Sequence, residues 1–327
     1  MVAVGRRVAV FGLGGTIAMG PSRGGGVVPA LTPEQLLAAV PGLGDVGVSL
    51  EVVDFRQVPG ASVTFEDVAA LFEAIRGVDV DGVVVTQGTD TIEETSYLLD
   101  LAYDGEMPVV VTGAMRNPTL AGADGPANLL AAIQVAASPE ARGQGCLVVF
   151  ADEVHAARRV RKTHSSSPGT FRSPNGGPLG YVVEGVARMV QRVERRAVVP
   201  FAEGRSATVA VVTATLGDEG VLLEGLEERV DGVVLAAFGA GHVPASWVEP
   251  LARLVARMPV VLASRTGAGS VLESTYGFAG SEKDLRERGL IPAGFLDPLK
   301  ARLLLRQLLG TGADDAAIRA AFKEAGR

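Results

Sequence analysis

The stretch Gly82-Val83-Val84-Val85-Thr86-Gln87-Gly88-Thr89-Asp90-Thr91-Ile92-Glu93-Glu94 decides how the chain is read. Its opening run is β-branched and apolar on both faces, as a strand buried inside a parallel sheet is. The run breaks at Gln87-Gly88-Thr89-Asp90, a short polar turn. Thr91-Ile92-Glu93-Glu94 then has the Thr-x-x-Glu form of a capping box and predicts the start of a helix. Strand, tight loop and helix make the first part of a βαβ unit. Thr89 and Asp90 are thereby placed just before a helix N-terminus, where free N–H groups and the positive dipole end favour an anion.

Working outward, the same pattern recurs. Short β-branched runs stand at Arg7–Phe11, Pro108–Thr112, Cys146–Phe150, Thr208–Thr213, Gly232–Ala237 and Pro259–Ala263, with helical stretches between most of them. This predicts right-handed βαβ units and open parallel sheets. Thr32-Pro33-Glu34-Gln35 is a second capping box, with proline at the first helical position. Arg195 to Gly204 interrupts the pattern with a proline and mixed polar residues. Four central strands precede that break and three follow it. The expected organisation is an α/β fold in two domains. A larger N-terminal domain, residues 1–194, has an open, parallel-rich sheet with helices on both faces. A linker covers 195–206, and a smaller parallel α/β domain covers 207–327.

Composition narrows the function. A chain of 327 residues with 47% hydrophobic and 20% charged residues can bury a core, which excludes disorder. A net charge of -7 argues against nucleic acid as the main partner. Arg158-Arg159 with Arg161-Lys162 is a basic cluster too short to change that and reads as a solvated face. Cys146 is the single cysteine, so neither an intramolecular disulfide nor a cysteine metal cluster is available. No apolar run approaches the ~20 residues of a membrane span. Val8 to Phe11 reads as a first strand rather than a signal peptide. A reduced, cytoplasmic protein is expected.

In open α/β sheets ligands bind outside the carboxyl ends of the strands. The loops there are Gly12-Leu13-Gly14-Gly15-Thr16, Gln87 to Thr91, Gly113-Ala114-Met115-Arg116-Asn117, and a longer one leading to Arg161-Lys162-Thr163-His164. Each has an ordinary reading. Gly12–Thr16 lacks the G-x-G-x-x-G spacing and the lysine of a phosphate loop. Thr89-Asp90-Thr91 fits a helix cap, and Lys162 fits an exposed lysine. His155 and His164, near Asp152 and Glu153, are too far apart for a compact metal pair. His242, in Gly239-Ala240-Gly241-His242, is either structural or in contact with substrate.

Taken in order, the motifs are far more specific. Gly14-Gly15-Thr16-Ile17-Ala18, Thr86-Gln87-Gly88-Thr89-Asp90-Thr91 with Glu93-Glu94-Thr95, Gly113-Ala114-Met115-Arg116, and Ala123-Asp124-Gly125-Pro126 with Asn128 resemble the bacterial L-asparaginase family. The likeness continues through Lys162, Gly177-Pro178-Leu179-Gly180 and Lys300-Ala301-Arg302, over nearly the whole chain. The resemblance implies a two-domain asparaginase-like fold, and a homo-oligomer (a dimer or tetramer) with the active site near a subunit interface. It implies hydrolysis of the side-chain amide of L-asparagine to L-aspartate and ammonia, with no metal or organic cofactor. By the same likeness Thr16 matches the nucleophile. Thr89, Asp90 and Lys162 match a second threonine–aspartate–lysine group. Ala114 matches the residue whose carbonyl meets the substrate amide. Backbone N–H groups around Gly15 and Gly88 are placed to hold the oxyanion, a contribution of roughly 3–4 kcal/mol per donor in acyl transfer. The loop Gly20–Gly26 would close as a lid.

The chain departs from the family pattern in places. Valine stands at Val27, where the lid tyrosine is expected, and no tyrosine precedes Tyr97. The orienting partner of Thr16 is then either missing or supplied from elsewhere, by Tyr276 or another subunit. The serine and glutamine that read the substrate carboxylate fall on Gly60 and Ala61, with Ser62 as the replacement. Ala240 and His242 stand where some members have asparagine. These departures motivate two alternatives: an amidase for another small amide such as L-glutamine or a D-amino acid amide, and a non-catalytic amino-acid-binding protein.

Overall fold

The computed structural model describes residues 5–21, 24, 27–29, 31–194, 198–202, 204 and 206–327. The chain divides into two compact units, Met1–Arg195 and Arg196–Arg327.

In the first unit the β-branched runs pair as a buried parallel array. The strands are β1 (Arg7–Gly12), β2 (Met19–Pro21), β3 (Val27–Pro29), β4 (Ser49–Asp54), β5 (Gly82–Thr86), β6 (Val109–Thr112), β7 (Cys146–Phe150), β8 (Glu153–Ala156), β9 (Arg161–Lys162), β10 (Phe171–Arg172), β11 (Gly180–Val183) and β12 (Val186–Met189). Eight of them form one sheet in the order β12-β11-β8-β7-β6-β5-β1-β4. The β4-β1-β5-β6-β7 portion is parallel, and β8, β11 and β12 extend it antiparallel. The sheet is thus larger than the four central runs: β4 adds to one edge and β8, β11 and β12 to the other. β2 and β3 form a separate ribbon, as do β9 and β10.

The helices are α1 (Pro33–Ala38), α2 (Phe65–Arg76), α3 (Ile92–Ala102) and α4 (Gly125–Ala136). The predicted box caps α1: Gln35 N donates to Thr32 Oγ1 at 3.3 Å and Thr32 N to Gln35 Oε1 at 2.9 Å. Val8, Val10, Val84, Val110, Leu147 and Val149 pack with Leu36 and Leu37 of α1 and Leu129 and Ile133 of α4. Buried α2 and α3 residues such as Leu71, Ile75 and Leu99 lie outside that cluster, and α3 packs on β6 and β7. Helices therefore cover both faces. One consequence departs from the right-handed expectation. β5–α3–β6 and β6–α4–β7 step the same way across the sheet with their helices on opposite faces, so their hands are opposite. α1 shares a face with α4 while its crossover steps the other way, so β6–α4–β7 is the left-handed one. That crossover brings Gly125, at the start of α4, against Ile17 and Ala114: a Cβ on Gly125 would lie 2.9 Å from Ile17 Cγ1 and 3.4 Å from Ala114 Cβ.

The second unit is a four-stranded parallel sheet, β13 (Val209–Thr213), β14 (Gly232–Ala237), β15 (Val260–Ser264) and β16 (Ile291–Pro292), paired in that order. Its helices are α5 (Val248–Val255), α6 (Glu282–Glu287), α7 (Pro298–Gly310) and α8 (Asp315–Ala325). Trp247, Leu251 and Leu254 pack on Val233, Leu235 and Leu262 in its core. No described helix is long and apolar enough to cross a membrane.

Candidate active site

The order β4-β1-β5-β6-β7 reverses direction at β1 and β5, and such a switch point opens a crevice at the carboxyl ends of its strands. The loops after β1 and β5 meet there with no space between their backbones. Gly15 has φ +87°, and a Cβ on it would lie 2.1 Å from Gly88 N. Only glycine tolerates both that φ and that contact. Gly60 approaches from the loop after β4: a Cβ there would lie 2.9 Å from Gly88 O. Leu13 N donates to Thr86 O at 2.9 Å and Val58 N to Leu13 O at 3.0 Å, tying the three loops together. Thr16 follows Gly15 as the first residue of a short 3-10 turn, half-buried.

The second group is joined by hydrogen bonds. Lys162 Nζ donates to Thr89 Oγ1 at 3.0 Å and to Asp90 Oδ1 at 2.8 Å. Thr89 is buried, and the Asp90 side chain is 64% exposed, so the charged end of the group faces the opening of the site. Lys162 reaches it from β9. Its partner across the ribbon is Phe171, which packs on Phe150 of β7 with ring centroids 4.4 Å apart. The Lys162 main chain is held as well: its N donates to Oε2 of Glu93 at 3.2 Å, a buried carboxylate on α3. Glu93 is legible in the sequence only as part of the helix start; its anchoring role depends on β9 reaching the first turn of α3. Among the described residues no group of acidic, histidine or cysteine side chains is arranged to hold a metal.

Ala114 is fully buried in the loop after β6. That loop is shaped by Asp124, whose oxygens accept from Met115 N at 3.0 Å and Arg116 N at 2.8 Å. Asn128 spans the same region, donating to Gly113 O at 3.0 Å and accepting from Ala151 N at 3.0 Å. These two residues give a physical reason for the Ala123–Asn128 motif, to which the sequence alone assigned no task. Ser62 is exposed at the end of a 3-10 turn, Gly60–Ser62, beside Gly88.

Some candidates lie elsewhere. His155 is buried, with Nδ1 3.0 Å from Ser173 Oγ. Burial, and then the nearby Arg172, lower its pKa to about 4, so the 3.3 Å approach to Glu153 is not an ion pair near neutrality. Nδ1 of His164 accepts from Ser166 N and Ser167 N at 3.0 Å. His242 and Tyr276 sit in the second unit with ring centroids 4.8 Å apart, and His242 Nε2 is 3.2 Å from Glu282 Oε2. Of the glycine-rich lid, Ser22, Arg23, Gly25 and Gly26 lie outside the described residues, as does the Val27 side chain. Thr91 differs from expectation: it is the N-cap of α3 but makes no side-chain capping bond. Its hydroxyl serves another loop, as developed below.

Comparison with known proteins accounts for this arrangement. Residues 7–195 match the family profile described as asparaginase, N-terminal, and residues 208–322 match the glutaminase/asparaginase C-terminal domain. A Deinococcus radiodurans protein described as a probable L-asparaginase is 41% identical over 97% of this chain and 97% of its own length. The L-asparaginase of Bacillus licheniformis is 32% identical over 94% of this chain and 96% of its own. The crystal structure of a probable cytoplasmic L-asparaginase from Campylobacter jejuni superposes with a TM-score of 0.84 at 33% identity, covering 97% of this chain and 99% of that one. With both halves matched in order, and the glycine and threonine loops meeting where two strands diverge, the chain belongs to the asparaginase family.

Proposed function

We propose that the protein hydrolyses the side-chain amide of L-asparagine to L-aspartate and ammonia, with Thr16, Thr89, Asp90 and Lys162 as catalytic residues. The observation that carries this is the Thr89–Lys162–Asp90 hydrogen-bonded set beside the Gly15–Gly88 backbone contact. In this reading the Thr16 hydroxyl attacks the amide carbon, giving a tetrahedral oxyanion, and its proton passes to the amide nitrogen as the C–N bond breaks. Ammonia leaves once its nitrogen is protonated, and water then cleaves the threonine ester. Because Lys162 Nζ donates to Thr89, the Thr89 hydroxyl proton is left to point at the substrate. The N–H groups of the Gly15 and Gly88 loops stabilise the oxyanion. Asp90 pairs with the α-ammonium, Ser62 reads the α-carboxylate, and the Ala114 carbonyl accepts from the amide.

The family resemblance further supports a catalytic N-terminal domain, residues 1–194, with a 195–206 linker. The single cysteine and the likeness to a probable cytoplasmic L-asparaginase support a cytoplasmic location. The resemblance also supports a homo-oligomer with its active site near a subunit interface. The last is read by light scattering on the purified protein. A second reading, an amidase for another small amide such as L-glutamine, rests on Gly60-Ala61, where the carboxylate-reading serine and glutamine are expected.

The test is ammonia release from L-asparagine by the wild type, Thr16→Ala and Thr89→Val under identical conditions. Activity that falls at least ~100-fold in both variants, about 2.7 kcal/mol of transition-state stabilisation, supports the two-threonine mechanism. A folded wild type that releases ammonia from L-glutamine but not L-asparagine moves the assignment to the second reading.

A further inference from the structure

Thr91 stands at the head of α3, but its hydroxyl is spent away from the helix. Oγ1 donates to the Gly60 carbonyl at 2.7 Å and accepts from Gln87 Nε2 at 2.9 Å. Gln87 is completely buried, and its amide is held at a second point, Thr95 Oγ1, at 3.0 Å. The Thr91 oxygen is therefore oriented from behind by a fixed group, and its proton has one destination. The carbonyl that receives it heads the Gly60–Ser62 turn. That turn lies directly on the residue before Thr89: a Cβ on Gly88 would lie 2.7 Å from Gly60 N. Two glycines in backbone contact can slide past one another, having no side chains to interlock. Backbone bonds tie the loops at Leu13, Thr86 and Val58, and the Thr91 bond is the side-chain tie that joins the Gly60 turn itself to the loop after β5.

We propose that Thr91 is a positioning residue that clamps the Gly60–Ser62 turn to the Thr89–Asp90 loop, and so sets substrate affinity on the Ser62 side of the site. The proposal rests on the hydrolase reading above. Without the hydroxyl the turn loses its tie to the α3 side and loosens, while Thr89 and Asp90 stay held by Lys162. The start of α3 also survives, because the Thr91 carbonyl still accepts from Glu94 N at 3.1 Å and Thr95 N at 2.8 Å. Binding suffers more than chemistry.

The experiment measures KM and kcat for L-asparagine, with the Kd of L-aspartate by calorimetry, in the wild type, Thr91→Val and Thr91→Ser. Removing the hydroxyl in Thr91→Val raises KM and Kd roughly 10-fold with kcat within about threefold, and Thr91→Ser returns both to within about twofold. Thr91→Val combined with Ser62→Ala raises KM by less than the product of the single effects, because the two act on one turn. Gln87→Met, which keeps the volume and removes the orienting donor, raises KM about threefold and serves if Thr91→Val does not fold. Unchanged KM and Kd in Thr91→Val and Gln87→Met overturn the proposal, as does a loss confined to kcat. A wild type that binds L-aspartate without hydrolysing L-asparagine overturns the hydrolase reading alone. The clamp then stands or falls on whether Thr91→Val weakens L-aspartate binding.

Discussion

Two clusters in this molecule join a nitrogen base to a carboxylate, and they are built in opposite ways. In the second unit the Glu282 side chain is fully buried and every oxygen is used. Oε1 accepts from Thr275 N and Tyr276 N at 2.8 Å, and Oε2 meets His242 Nε2 at 3.2 Å. Burial alone would raise the Glu282 pKa, but these donors outweigh it and hold it below the ordinary carboxylate value. In the first unit Lys162 shares its Nζ between a buried hydroxyl and an aspartate that is mostly in solvent. The first arrangement shapes a loop and has no capacity left over. The second keeps a charged end and a hydroxyl proton available to a ligand. Both share the residue types that suggest chemistry; what separates them is how much hydrogen-bonding capacity remains after folding.

Three measurements break or sharpen that contrast. The largest effect is expected at Lys162. Lys162→Met keeps the length of the side chain and removes both donors, and should lower kcat on L-asparagine by about 1000-fold, roughly 4 kcal/mol, with the fold retained. A loss below tenfold would mean that the open cluster is as structural as the closed one.

The next effect concerns His155, a buried base inside the first unit. Its folded pKa, about 4, lies below the ordinary 6.5. The unfolded chain therefore takes up the proton first, so the stabilising contribution is complete above pH 6.5 and fades as pH falls toward 4. The full shift corresponds to about 3 kcal/mol. Thermal melts of wild type and His155→Gln between those limits should converge as pH falls; parallel curves would rule this out.

The smallest effect is at Glu282. Glu282→Gln removes the charge and one acceptor from a saturated site, and should cost about 2 kcal/mol of stability. Chemical denaturation reads this loss. If activity falls far more than stability does, Glu282 belongs with the reactive cluster rather than the structural one.

Much of the fold was legible because buried parallel strands are nearly uniform in composition. Gly82–Thr86, Cys146–Phe150 and Gly232–Ala237 have the same limits in sequence and in structure. Ser49–Asp54 was passed over because an edge strand alternates exposed and half-buried positions and carries charge. The antiparallel additions at Glu153–Ala156 and Gly180–Val183 are four residues each, too short for periodicity to register. The left-handed crossover at α4 was hidden for another reason: hand is a property of which face a helix chooses, and the helix pattern reads the same on either.

The sequence by itself determined the parallel α/β class and the strand-end loops, and its resemblance to the asparaginase family picked Thr16, Thr89, Asp90 and Lys162 out of those loops as candidates. Residue type and local order carry the class and the loops: β-branched runs favour buried strands, and glycine, threonine and aspartate after them favour loops at the sheet's edge. Tertiary structure decided which of these groups meet. Lys162 lies 73 residues beyond Thr89 and reaches it because a two-strand ribbon comes to the start of α3, where Glu93 holds its main chain. The Thr91 oxygen accepts from Gln87 Nε2 rather than from an N–H of its own helix, and its proton goes to the Gly60 carbonyl, which the packing of two glycines brings within 2.7 Å. Such pairings depend on distances closed by the core, and no local pattern encodes them.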